Sequence, residues 1–147
     1  MVRTTIRVAT AMLRAAEGGD RQSQVNLAVM HENRRRAAGP VPANAVASEH
    51  GAQSLRWWLR AANQGSAQAQ AALALRYASG DGVARDLVAA LAWYLLAAPH
   101  LRGEDAERAV QTGRRLSRAM DPADVLHAER RAAQWTPQRE AAEAEPF

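Results

Sequence analysis

Arginine carries most of the chemistry available to this sequence. All 19 of its basic residues are arginine, set against 15 acids for a formal charge of +4. A guanidinium grips carboxylate or phosphate oxygens in bidentate fashion, so its clusters are the first candidate sites. Arg34, Arg35 and Arg36 are contiguous, while Arg56 with Arg60 and Arg114 with Arg118 lie four apart, which places each pair on one helix face. These seven residues are the candidate partner-binding set, suited to an acidic protein segment or to nucleic-acid phosphate, and Arg34 to Arg36 also to lipid headgroups. Plainer accounts stand beside that one. A GC-rich genome favours Ala, Arg and Gly together, and arginines at a helix end match the negative end of its dipole. Acids are interspersed nearly everywhere, so no long unipolar block forms.

The aromatic residues offer a second chemistry. Trp57, Trp58, Trp93 and Tyr94 form two adjacent pairs that could act as stacking platforms for bases. Both pairs recur at equivalent points of an internal repeat, which assigns them to core and seam instead. Neighbours on a helix diverge by about 100°, leaving one member of each pair partly outward. His31, His50, His100 and His127 are widely spaced. His31-Glu32 begins a zinc-protease pattern, but Arg35 stands where the second ligand belongs. With no phosphate loop, serine elbow or carboxylate pair in evidence, the sequence implies a non-enzymatic protein without metal or cofactor.

The elements that position these residues follow from the repeat. Ser54-Leu55-Arg56-Trp57-Trp58-Leu59-Arg60-Ala61-Ala62 returns 36 positions later as Ala90-Leu91-Ala92-Trp93-Tyr94-Leu95-Leu96-Ala97-Ala98. A second echo, Gly19 to Ala28 against Gly65 to Ala74, has an offset of 46. Fixed periods of this size mark stacked repeats. The ten extra residues are expected in the connection 37–52, as a loop that either binds a partner or is merely tolerated at the surface. Apolar spacing and end signals predict helices over 3–17, 20–35, 52–64, 66–79, 87–98, 104–120 and 122–135. Ile6, Ala9, Leu13 and Ala16 should form the buried face of the first. Asp20, Asp86 and Asp121 are predicted caps, Pro99 a stop, and Gly80-Asp81-Gly82 an interhelical turn. Residues 136–147 read as a polar, frayed tail.

Composition bounds the remainder. The 147 residues fit one domain, and the apolar content of 48% is dominated by alanine, the best helix former. Without cysteine, disulfides and thiolate sites are excluded. No apolar run of membrane-spanning length occurs, and arginines interrupt the N-terminal stretch, so the expectation is a soluble cytoplasmic protein.

Gly65-Ser66-Ala67-Gln68-Ala69-Gln70 with Leu73 and Tyr77, then Gly80-Asp81-Gly82-Val83, Asp86, Ala89-Ala90 and Trp93 to Ala98, resemble a complete unit of the Sel-one-like repeat family. These are relatives of the tetratricopeptide repeats. The unit beginning at Gly19 resembles it in part, Met30-His31 replacing the usual ending, and residues 104–135 resemble degenerate closing helices. The resemblance covers roughly 15–135. It implies an all-α fold, a short right-handed α-solenoid of antiparallel helix pairs with about seven helices over 1–135. It also implies an adaptor or assembly subunit that holds a protein partner, alone or within a larger complex, on its concave face and inserted loop. Nucleic-acid binding through arginine-rich helix faces is the alternative.

Overall fold

The computed structural model describes residues 2–39 and 49–140. Among them are seven α-helices, one short 3-10 turn and no strand. The helices are α1 (Val2–Glu17), α2 (Arg21–Ala37), α3 (Glu49–Asn63), α4 (Ala67–Ser79), α5 (Leu87–Ala97), α6 (Gly103–Ala119) and α7 (Pro122–Gln134), and the turn is Ala98–His100.

Local chemistry sets most of these boundaries. Side-chain oxygens of Asp20, Ser66 and Asp86 accept from the amides of Ser23, Ala69 and Ala89 at 2.7, 3.2 and 3.0 Å, filling orphan donors at the starts of α2, α4 and α5. Asp121 stands at the N-cap of α7 ahead of Pro122, but its side chain makes no capping bond. Gly80 ends α4 at φ 73°, a left-handed conformation that glycine adopts without strain, and its amide returns to Arg76 O at 2.8 Å. Pro99 tightens the end of α5 into the 3-10 turn.

α2 packs on α3 and α4 on α5 as helix pairs; α3 meets α4 and α5 meets α6 between pairs, with α1 on α2 and α7 on α5. This is an α-solenoid, in which each pair buries its apolar face against its neighbours. The close approaches fall on alanine: Ala61, Ala62, Ala74, Ala90 and Ala97 are fully buried. One core cluster joins α1 to α4 around Trp57, Trp58 and Leu73; smaller ones join α4, α5 and α6 at Tyr94, and α5 and α7 at Leu91.

Three expectations change. Ile6 and Leu13 are 58% and 40% exposed, and only Ala16 of the anticipated α1 face is buried, because α1 has α2 as its neighbour on one side and none on the other among the described residues. The connection 37–52 is partly helical: α2 runs to Ala37 and α3 begins at Glu49, while 40–48 lie outside the described residues. Finally, of the expected tail 136–147, residues 141–147 lie outside the described residues, and 136–140 are docked rather than frayed. They run back across the ends of α3 and α1, Gln138 donating its amide to Asn63 O at 2.7 Å.

Candidate partner-binding site

The seven candidate arginines divide by what holds them. Arg35 turns inward, pairing with Glu32 at 2.6 Å and with Asp81 of the Gly80–Gly82 turn at 2.9 Å. Arg36 is exposed and reaches Glu32 only at 3.5 Å; Arg34 is exposed with no ion pair among the described residues. Arg56 and Arg60 flank one ring, their guanidiniums 5.2 and 4.9 Å from the Trp57 centroid, in the range for cation–π attraction. Arg60 also holds Glu140. Arg114 and Arg118 are exposed on α6.

A buried network absent from the sequence reading explains Arg35. Arg76 on α4, 5% exposed, pairs with Glu32 on α2 and donates to Ser54 Oγ at 2.6 Å and Gly51 O at 3.3 Å on α3. Burial pushes the Glu32 carboxyl up, but Arg35 and Arg76 together bring it below its ordinary value. Three helices and a turn therefore close on one carboxylate. The separations of 22 and 44 residues match no helical spacing, so the pattern gave no sign of it.

Gln24 and Gln70, equivalent under the 46-residue offset, are both buried. Each donates to a carbonyl of the preceding helix, Gln24 to Ala16 at 3.0 Å and Gln70 to Ala62 at 3.2 Å. Their identity at equivalent positions was the signal that could have found this seam bond. The aromatic pairs behave unequally: Trp57 and Trp58 are both buried, whereas in the second pair Tyr94 is buried and Trp93 half-buried. The burial of Trp57 and Trp58 leaves them no open face for a base, and the Trp93 ring meets Trp135 edge-on at 6.4 Å.

Two grooves flank α6. The larger, about 820 Å³, lies between α4 and α6; Ala71, Ala72, Leu75 and Ala109 line it with Arg102, Arg108 and Arg115. Asp105 is the one acid in that lining among the described residues. Among the described residues Arg108 pairs with Glu104, at 3.6 Å and with both side chains well exposed, a pair of little worth in water. Leu75 is 58% exposed. Burial pushes the Tyr94 phenol, which also lines the groove, above its ordinary value, partly offset by a hydrogen bond with Thr112. The second groove, about 380 Å³ between α5 and α6, sets Leu95 and Val110 beside Arg114 and Arg118. Both grooves combine an apolar lining with guanidinium groups.

The widely spaced His31 and His50 meet: their Nδ1 atoms are 3.2 Å apart and their ring centroids 5.5 Å. The nitrogens thus lie between the rings nearly on the line joining them, the geometry of an N–H···N hydrogen bond. A metal bound by both would need the rings to converge at an angle on a point off that line. Among the described residues no group of three His, Cys, Asp or Glu could hold a metal ion. Likewise, no helix among them is long and apolar enough to cross a membrane.

Paired helices stacked by small residues, with apolar, arginine-lined grooves, define a helical-repeat protein of the interaction-module class. The Sel1 repeat model matches residues 21–66 and 67–98, the first spanning α2 and α3 and the second α4 and α5. The chain belongs to the Sel1 repeat family, whose repeats are generally protein–protein interaction modules. Comparison with curated proteins finds no match.

Proposed function

We infer that the chain is a non-enzymatic adaptor or assembly subunit that takes an acidic, partly apolar segment of a protein partner in the groove between α4 and α6. The observation carrying this reading is the lining itself: Arg102, Arg108 and Arg115 beside Leu75 and alanines, with Asp105 as the one acid among the described residues. A segment laying apolar residues on Leu75 and carboxylates against the rim would gain burial and charge-assisted bonds together. Arg114 and Arg118, on the other flank of α6, and the exposed Arg34 and Arg36 extend the same basic character. The connection 37–52 is a further contact region in this reading. At the other end, the exposed Ile6 and Leu13 of α1 suit docking onto a larger complex.

The test is capture of partners from native lysate by the unaltered chain and by the triple variant Arg102→Glu, Arg108→Glu, Arg115→Glu. A protein recovered stoichiometrically by the first and lost by the second supports the reading; equal recovery by both, or none by either, refutes it. The nucleic-acid alternative is weakened because Arg35, Arg60 and Arg76 are engaged by carboxylates within the chain.

A further inference from the structure

At the other end of the molecule from the α4/α6 groove, three donors converge on one carboxylate. Arg60 donates from Nε to Glu140 Oε1 at 2.9 Å and from Nη2 to Oε2 at 2.5 Å, and Gln24 Nε2 donates to Oε2 at 2.9 Å. Each donor is fixed by contacts that owe nothing to Glu140. The Gln24 side chain is fully buried, bonded to Ala16 O and, through its own oxygen, to Gln64 Nε2 at 2.9 Å. Arg60 lies over Trp57 and gives a further bond to Glu17 O at 3.1 Å. Such a clamp keeps its shape when its occupant leaves, which is preorganisation for a carboxylate.

The floor of the clamp is shaped for an extended peptide. Gly19, at φ 96°, would with a Cβ lie 3.1 Å from the Glu140 Cβ, so glycine here permits the approach of a second backbone. Residues 135–140 cross it outside any helix or turn, beginning with Trp135 in extended backbone, and are anchored by Trp135 on Trp93 and by the Gln138 amide on Asn63 O. The side chains of residues 136–139 are exposed. The second unit lacks the clamp: Leu96 stands 36 positions after Arg60, so the site is an addition to the repeat rather than a requirement of it.

We propose that Arg60, Gln24 and Gly19 form a recognition site for a glutamate side chain on an extended peptide, and that Glu140 is its exchangeable occupant in cis. A partner segment carrying an acid about five residues beyond an aromatic would displace the chain's own strap. The strap holds a high effective concentration at the site, of order millimolar for a short tether. It therefore acts as a threshold that only a well-matched or multivalent partner crosses. This proposal is independent of the α4/α6 groove.

The probe is a labelled, end-capped peptide copying residues 135–140, titrated by fluorescence anisotropy against the full chain and its Glu140→Ala variant. Removing the competing carboxylate should tighten binding by about tenfold or more, the worth of a charge-assisted bidentate contact. The same peptide with glutamine in place of its glutamate should lose that gain, and so should the double variant Glu140→Ala, Arg60→Gln. The glutamine peptide needs no change in the protein beyond Glu140→Ala, so its outcome stands even where Arg60→Gln perturbs folding. Equal affinity for the chain and its Glu140→Ala variant, equal binding of the glutamine peptide, or no binding to the variant overturns the proposal.

Discussion

Glu32 is the residue on which the first complete packing layer depends, since its carboxylate answers both Arg76 and Arg35. Glu32→Gln leaves the Arg76 guanidinium buried without its anion, and the expected cost is about 3–5 kcal/mol, read from urea unfolding. The same group sets an acid dependence. Its folded pKa lies below its ordinary value, so its stabilisation is complete above the ordinary glutamate range and is lost as pH falls through the lower folded value. Thermal melts between pH 6 and pH 3 should therefore fall less steeply for Glu32→Gln than for the unaltered chain. The two seam glutamines make a further comparison. Gln24 serves Ala16, Gln64 and Glu140, whereas Gln70 serves Ala62 and its oxygen is buried without a partner among the described residues. Gln24→Leu should cost about 2–3 kcal/mol and Gln70→Leu about 1 or less, because the second change also removes a buried unsatisfied acceptor.

Among the elements, the α2–α3 pair joins through the hydrogen-bonded His31 and His50. Burial first, then the neighbouring His50 and Arg34, hold the His31 pKa below its ordinary value, with Glu49 opposing them. The stability this lends is complete above the ordinary histidine value and is lost as pH falls through the folded one. In an NMR titration the His31 ring should protonate below the ordinary histidine value, and His50→Gln should bring it closer to that value. This contact was not legible beforehand, since the two histidines are 19 residues apart across the inserted connection. The helices were legible: alanine runs, capping acids and the 36-residue echo located α4 and α5 almost to the residue. Gly51 shows where such reading fails. It looks like loop punctuation, yet it lies buried in the first turn of α3, its carbonyl accepting from Arg76 and Ser54. Sequence periodicity reports which face is apolar; it does not report which polar groups meet across two faces. The candidate arginines were therefore found as a set, while the division between engaged and free ones needed the fold. Arg102, Arg108 and Arg115, which line the larger groove, lay outside that set because they form no four-residue pair with one another.

At the scale of the whole molecule, a short solenoid is a one-dimensional array whose stability is a sum of units and nearest-neighbour interfaces, so its ends open first. The strap changes that connectivity. After α7 it returns to the α1–α2 junction, joining Glu140 to Gln24 across 116 residues and to Arg60 across 80. Opening α7 must then either release the strap or draw on the packing of α1 to α3, which couples the two ends. Acid weakens the coupling, because the Arg60 pair holds the Glu140 carboxyl below its ordinary value and that contribution disappears as pH falls through the folded pKa. The consequence is measurable by amide hydrogen exchange at pH 7. In the unaltered chain, α7 and α2 should share similar opening free energies despite lying at opposite ends. In the double variant Trp135→Ala, Glu140→Ala, exchange in α7 should accelerate by about ten- to a hundredfold, the loss of one aromatic contact and one charge-assisted pair, while the interior of α4 changes little. Unchanged exchange in α7 would mean that the strap merely lies on the surface, and that the array opens from its ends as an ordinary repeat protein does.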